Sequence, residues 1–286
     1  MTTIAIIGLG EVGTIFAHDL AASGATVAGF DTDAAARARA GAAAVASPAE
    51  ALRGADIVIV CVTAAGVLEA TRSLLGALTH GPFVLDVNSA SPGTKIEAAR
   101  VVEAAGGRYV EAAVMASVPP KRLATPMLLG GPHAADFIAA AAPFGMRLTD
   151  YAPAIGRASS VKMCRSVMIK GLEAITTECM LAARHYGVED EVLRTLGDTL
   201  PHPDWPGLAR YVMSRALIHG KRRAEEMREV ARTVADAGVE PLLSRAIAER
   251  QEWAGRRGVE IGAGRNAPDL AALLDALEAQ PRRAAE

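Results

Sequence analysis

Two stretches carry residue types at spacings that chemistry can use. The first is Gly8-Leu9-Gly10-Glu11-Val12-Gly13, a GxGxxG. It follows an apolar run read as a strand and opens a run read as a helix, the context that makes the string informative. Gly8 permits a tight turn, Gly10 lets backbone approach a pyrophosphate, and Gly13 lets the helix pack on the strand. The helix start adds unpaired N–H groups and partial positive charge for phosphates. Gly8, Leu9, Gly10, Glu11, Val12 and Gly13 are therefore expected to hold a dinucleotide. An acidic residue is expected ~20 positions further on, at the end of the second strand. Asp31 stands there, after Val27-Ala28-Gly29-Phe30. A carboxylate at that point accepts from both ribose hydroxyls and repels a 2′-phosphate. Asp31 and the following Thr32 favour NAD; Arg37 and Arg39 are near enough to leave NADP open.

The second stretch is Lys162, Ser166 and Lys170, at i, i+4 and i+8. On a helix they share one face. Such a face on an otherwise apolar helix costs desolvation unless it lines a polar cleft. A lysine there can take a carbinol proton while hydride leaves for a nicotinamide, or return the proton in reduction. Partial burial beside a second cation moves its pKa toward the working pH. Lys170 is a candidate for that cation, or for binding a substrate carboxylate; a simple pair with Glu173 is the alternative.

Elements must bring these stretches together. Short Val- and Ile-rich runs at 3–7, 26–30, 56–62, 83–86, 108–112 and 126–129 alternate with alanine-rich stretches. Strands spaced by helical segments predict βαβ units and a parallel sheet. The biased stretch 34–46 reads as a surface helix and a short strand. From Gly156 the texture turns helical. Residues 157–186 contain no proline and a single glycine, Gly171, and predict a helix about 45 Å long. Val161, Cys164, Met168, Leu172, Ile175 and Cys179 make it apolar on most sides, which predicts burial in a core or between domains or subunits. Cys164 and Cys179 read as core thiols. Further helices are expected at 208–237, 241–254 and 269–277, with a frayed tail at 280–286. The reading is an α/β chain: an N-terminal Rossmann-type doubly wound parallel sheet over 1–155, then an all-α domain over 156–286 for substrate and dimerisation, joined by the long interdomain helix.

Composition narrows the function. The 286 residues carry 30 Lys and Arg against 32 Asp and Glu, a net charge of −2, which gives no basic footprint for nucleic acid. Three cysteines without CxxC spacing, Cys61, Cys164 and Cys179, argue against a disulfide framework and a structural zinc. No His, Cys and Asp cluster has metal spacing, so no metal is expected. No apolar run approaches the ~20 residues of a membrane span, and the N-terminus lacks a signal peptide's basic region. The expectation is a cytoplasmic protein with a small-molecule partner and no membrane or nucleic-acid partner.

Four segments carry a resemblance that covers nearly the whole chain. They are Gly8–Gly13; Asp86-Val87-Asn88-Ser89-Ala90-Ser91-Pro92, similar to D-x-S-T-x-x-P; Val110-Glu111-Ala112-Ala113-Val114-Met115-Ala116-Ser117, in the place of D-A-P-V-S-G-G; and Gly156-Arg157-Ala158-Ser159-Ser160-Val161-Lys162, similar to G-x-G-x-x-x-K. They resemble the β-hydroxyacid dehydrogenases, the superfamily of 3-hydroxyisobutyrate and 6-phosphogluconate dehydrogenases, in a branch with its own C-terminal helical domain. The resemblance implies an NAD(P)-dependent oxidoreductase acting on the CH–OH of a β-hydroxy acid, with Lys162 as general acid/base. It places Asn88 near the nicotinamide and Ser89 and Met115 in the substrate loops. Departures fall at Ala158, Ser89, Ser166 and Met115-Ala116-Ser117, where the family has Gly, Thr, Asn and S-G-G. They motivate a second reading, an imine (C=N) reductase on the same scaffold. A third is a non-catalytic dinucleotide-binding protein.

Remaining candidates follow from position. Thr63, after the 56–62 strand, has a claim on the cofactor like that of Asn88. Ser166, Lys170 and His219 are expected to contact substrate. His219, Arg222, Arg223 and Glu226 share one helical face, read either as an anion patch or as solvated i, i+4 neighbours. His202 beside Trp205 is a pocket candidate that a Pro-rich turn explains equally. The apolar helical half is expected to form a homodimer.

Overall fold

A computed structural model of the chain describes residues 1–40, 43–260 and 269–278. It divides into two compact units, Met1–Cys164 and Arg165–Glu286.

The first unit holds strands β1 (Thr3–Ile7), β2 (Thr26–Phe30), β3 (Ile57–Val60), β4 (Phe83–Asp86), β5 (Arg108–Val114), β6 (Met127–Gly130) and β7 (Leu148–Ala152). Between them run helices α1 (Glu11–Ala22), α2 (Ala34–Ala40), α3 (Pro48–Ala51), α4 (Val67–Ser73), α5 (Pro92–Ala104) and α6 (Ala134–Ala141). The sheet order is β2-β1-β3-β4-β5-β6-β7. Ile4 and Ile6 pack with Phe16 and Leu20 of α1 and Phe137 of α6; Ala5 and Ile7 pack on the other face with Val67 of α4 and Val102 of α5. Both faces are covered, so the central strands need apolar residues at successive positions, and β3 is buried throughout. Each large aliphatic or phenyl side chain so buried contributes about 1.5–3 kcal/mol.

The sheet is not wholly parallel. β6 runs antiparallel to β5, and β7 runs parallel to β6. The link from β5 to β6 carries only a 3-10 turn (Arg122–Ala124), without the crossover helix that usually returns a chain to a parallel neighbour. β7 escapes sequence reading because this edge strand, LTDYA, is exposed over its middle and lacks an apolar run. In the alanine-rich stretch, α2 is followed by a single bridge between Gly29 and Ala44. Residues 41–42 of that stretch and the tail 280–286 lie outside the described residues.

Helix α7 (Arg157–Tyr186) matches the range expected of the long helix and runs from the first unit into the second. The second unit adds α8 (Glu189–Thr199), α9 (Trp205–Asp236), α10 (Leu242–Glu260) and α11 (Leu270–Glu278). Its core joins Met180 and Ala183 of α7, Met213 and Leu217 of α9 and Leu273, Leu274 and Leu277 of α11. α9 and α10 meet backbone to backbone. A Cβ on Gly220 would lie 2.2 Å from the Gln251 carbonyl oxygen, one on Gly258 2.2 Å from the Leu217 carbonyl oxygen, and one on Gly255 2.7 Å from the Lys221 nitrogen.

α7 inverts the expected burial. Met168 is 74% and Ile175 66% exposed, with Leu172 and Cys164 also exposed, so Cys164 is no core thiol. Ser166, Lys170, Glu173 and Thr177 are buried instead. Lys170 and Glu173 meet partners on α9 and α10, while Ser166 and Thr177 bond to groups of α7 itself, and the apolar line is left outward. Among the described residues, no helix is long and apolar enough to cross a membrane, and no group of three or more His, Cys, Asp or Glu is placed to hold a metal ion.

Candidate dinucleotide and proton-transfer site

Register sets the site. Phe30, Ile7, Val60, Asp86 and Glu111 form one row across β2, β1, β3, β4 and β5. Asp31, Gly8, Thr63 and Asn88 lie just beyond that row, at the carboxyl ends of adjacent strands where open α/β sheets bind ligands.

The glycine loop is shaped by contacts that admit no side chain. Gly8 has φ +99°, and a Cβ there would lie 2.4 Å from the Cys61 carbonyl oxygen. A Cβ on Gly13 would fall 1.8 Å from the Gly8 oxygen. Gly10, at the N-cap of α1, faces open space, and no side chain caps that helix. Its first N–H groups are thus available for a phosphate. Leu9 is buried and its N–H donates to Asp31 Oδ2 at 2.7 Å; Asp33 N–H donates to Oδ1 at 2.8 Å. Each oxygen keeps a lone pair for a ribose hydroxyl. Arg37 donates to the carbonyl oxygens of Asp31 and Thr32 at 2.5 and 3.2 Å and covers the Phe30 ring. Glu11 and Thr63 are exposed and Val12 is half-buried.

Asn88 sits at the end of a buried network that sequence reading missed. Lys95 of α5 is fully buried; its Nζ lies 2.8 Å from Asp86 Oδ1 and donates to the Asp86 carbonyl oxygen at 2.8 Å. Tyr109 OH donates to Asp86 Oδ2 at 2.7 Å. The Asn88 backbone N–H and Nδ2 both donate to Asp86 Oδ1, at 2.9 and 2.6 Å. The amide's donor edge is thus turned inward, and Asn88 Oδ1 is left buried without a partner. A dinucleotide or substrate N–H or O–H group fits that orphan acceptor. Burial and the Asp86 carboxylate push the Tyr109 phenol well above its usual range. Desolvation and the same carboxylate push up the Cys61 thiol and disfavour its thiolate.

Lys162 is half-buried in the second turn of α7, in the first unit. The start of that helix is fastened to β5: the Gly156 and Ser159 N–H groups each donate to Glu111 at 2.7 Å. Gly156 also lies against Pro92 and Ile96 at the start of α5, next to the Asn88–Ser89 loop. Ser89 and Met115 are half-buried at the ends of β4 and β5. Ser166, Lys170 and His219 belong to the second unit. There Lys170 Nζ donates to Ser166 Oγ at 3.0 Å and pairs with Glu226 at 2.8 Å, not with Glu173. Glu173 pairs with Arg223 at 2.7 Å and accepts from Gln251 at 3.0 Å. Burial outweighs these partners and raises the Glu173 carboxyl. His219, half-buried beside Arg215, Arg222 and Arg223, is held down to about 4 by desolvation and those charges. His202 packs its ring against Trp205 and accepts from the Asp204 N–H. Asp86 and Glu111 had one sequence signal, a charge at or inside an apolar strand run, which survives burial only when satisfied; Lys95, in the mixed sequence of α5, and Tyr109 had none.

Comparison with known proteins identifies the domains and the fold. Residues 3–144 match the NAD binding domain of 6-phosphogluconate dehydrogenase, and residues 183–254 match a domain of unknown function, DUF1932. A conserved hypothetical protein from Sinorhizobium meliloti is 33% identical, with a TM-score of 0.74 over 97% of this chain and 96% of that one. A Mycobacterium tuberculosis 3-hydroxyisobutyrate dehydrogenase is 20% identical (TM-score 0.69, 97% of this chain and 99% of that one) and shares the fold. So does a reductive aminase from Aspergillus terreus, 20% identical (TM-score 0.56, 96% and 99%). The doubly wound domain with its glycine loop makes this chain a 3-hydroxyacid dehydrogenase-like, NAD-binding scaffold. It belongs to the β-hydroxyacid dehydrogenase superfamily, in the branch that couples the 6-phosphogluconate dehydrogenase type of NAD-binding domain to DUF1932.

Proposed function

We propose that this chain is an NAD-dependent oxidoreductase that interconverts a β-hydroxy acid, or a related hydroxy carboxylate, and its keto form. The observation that carries the reading is the row of strand ends. Its row neighbours lead into the glycine loop, Asp31, Thr63 and Asn88 on one side, and Glu111 fastens the Lys162 helix on the other. A nicotinamide dinucleotide, when bound, accepts or returns the two electrons and one hydrogen of the CH–OH group. Gly8 to Gly13 and the α1 N-terminus hold its pyrophosphate, and Asp31 its ribose hydroxyls. Asp31 favours NAD, and Arg37 beside it is the feature through which NADP would be accepted.

Lys162, as the neutral amine, takes the hydroxyl proton during oxidation and gives it back to the forming alkoxide during reduction. Ser89, Met115, Ser166, Lys170 and His219 are assigned to substrate contact, with the Lys170 charge shared with Glu226. Residues 1–155 form the dinucleotide-binding domain and 156–286 the substrate and dimerisation domain. The exposed apolar line on α7 supports a homodimer, and the composition supports a cytoplasmic setting.

The test combines NADH fluorescence titration with turnover of 3-hydroxyisobutyrate by NAD. Lys162→Ala is expected to keep NADH binding and to lose turnover by at least ~10²-fold, the low end for a general acid/base. Near-normal turnover in that variant removes Lys162 from the role. The substrate-loop departures at Met115-Ala116-Ser117, together with the shared fold of a reductive aminase, favour a second reading as a C=N reductase. Reduction of an imine but not of the matching ketone would select it. NADH binding with turnover of neither would leave a non-catalytic dinucleotide-binding protein.

A further inference from the structure

Glu111 is a buried charge that takes no part in the proposed proton and hydride transfer. It lies on β5 and is 0% exposed. Oε2 accepts the Gly156 N–H and Oε1 the Ser159 N–H, both at 2.7 Å. The first N–H groups of a helix have no partner within the helix. They are usually met by a Ser, Thr, Asp or Asn side chain just before it. The residue before α7 is Gly156, at φ +94° and without a side chain. Ser159 Oγ and Ser160 Oγ turn back to the Gly156 carbonyl oxygen. The cap therefore comes from a strand 45 residues earlier in the chain. The helix dipole favours a negative charge at that end. In the sheet, Glu111 has Asp86 in register on β4 and Gly130 on β6. A Cβ on Gly130 would lie 2.6 Å from Glu111 Oε2, so the carboxylate occupies room that only glycine leaves.

We propose that Glu111 is a positioning residue: it fixes the first turn of α7 against β5 and thereby sets Lys162 relative to the strand ends that carry the glycine loop and Asn88. The proposal rests on the role given to Lys162 above. Lys162 lies three residues beyond Ser159, so its Cα moves with the turn that Glu111 holds. Displacements of about 1 Å at a reacting group cost up to ~10²-fold in rate, which makes such a fastening consequential.

Two variants disturb the contact by different routes. Glu111→Gln keeps the shape but turns one acceptor oxygen into a donor that faces an N–H. Gly130→Ala keeps the charge and displaces it. Both are compared with wild type by amide hydrogen exchange of residues 156–162, by NADH affinity, and by kcat for 3-hydroxyisobutyrate with NAD. Loss of a helix cap predicts exchange in 156–162 faster by about tenfold in both variants, with α9 unchanged. It also predicts kcat lower by at least ~10-fold and NADH affinity within ~2-fold of wild type, since the dinucleotide loop is not touched. Unchanged exchange in the two folded variants overturns the proposal. So does faster exchange with unchanged kcat, or an NADH affinity that falls as far as kcat, which marks a general loss of structure. If wild type turns over no substrate, or Lys162→Ala matches it, the proposed function fails instead. The exchange measurement then still decides whether Glu111 holds the turn.

Discussion

Lys95 and Asp86 form a buried ion pair, with side chains 0% and 2% exposed. Such pairs are costly to break from one side, because the remaining charge stays buried and uncompensated. Lys95→Met is expected to lower unfolding stability by about 3–5 kcal/mol. The double variant Lys95→Met with Asp86→Asn should lose less than the single one, because it removes the orphaned carboxylate as well. Urea unfolding of the two variants and wild type measures this; a double variant less stable than Lys95→Met would refute the pairing. The same pair matters for the site, since Asp86 holds both donors of Asn88. A satisfied network of this kind fixes which way an amide points. With its donor turned inward, the Asn88 side chain leaves its carbonyl oxygen buried and unsatisfied.

Among the elements, α9 carries a pH signature. The His219 imidazole is pressed down from 6.5 to about 4 by desolvation and by Arg215, Arg222 and Arg223, with Glu226 opposing them. Between these values the unfolded chain takes up a proton that the folded chain refuses. Stability attributable to His219 is therefore present above pH 6.5 and lost as pH falls toward about 4. Glu173 on α7 is shifted the other way, up by burial, and works oppositely above its usual carboxyl value. It is present in wild type and in His219→Gln alike. Wild type should therefore lose more stability than His219→Gln between pH 7 and pH 5, read from denaturant midpoints at the two pH values. Equal losses would mean that the imidazole is solvated and its arginine neighbours are screened.

At the scale of the whole molecule, α7 presents an exposed apolar line among the described residues. Cys164, Met168, Leu172 and Ile175 follow helical spacing along one exposed line. Exposed apolar patches of this kind mark association sites. Met168→Glu with Ile175→Glu is expected to convert the proposed homodimer to a monomer in light scattering, with NADH binding by the glycine loop retained. A wild-type monomer, or a variant that remains dimeric, would remove this face from assembly.

The sequence by itself determined the alternation of strand and helix, the glycine loop with Asp31, and the full extent of α7. These are local features: short-range periodicity, turn chemistry and an uninterrupted helical run express them without reference to distant residues. Asp86 and Glu111 stood in view only as members of two motif segments, and Lys95 not at all. Their partners were out of view, because Glu111 meets α7 across 45 residues and Tyr109 meets Asp86 across 23. β7 was hidden because it is an exposed edge strand, and the reversed β6 because strand direction depends on what connects the strands. The polarity of α7 was misjudged for a related reason. Its periodicity marks two faces but not which one packs inward. Only the tertiary structure decided that, by supplying Glu226, Arg223 and Gln251 as partners that make the polar face the buried one.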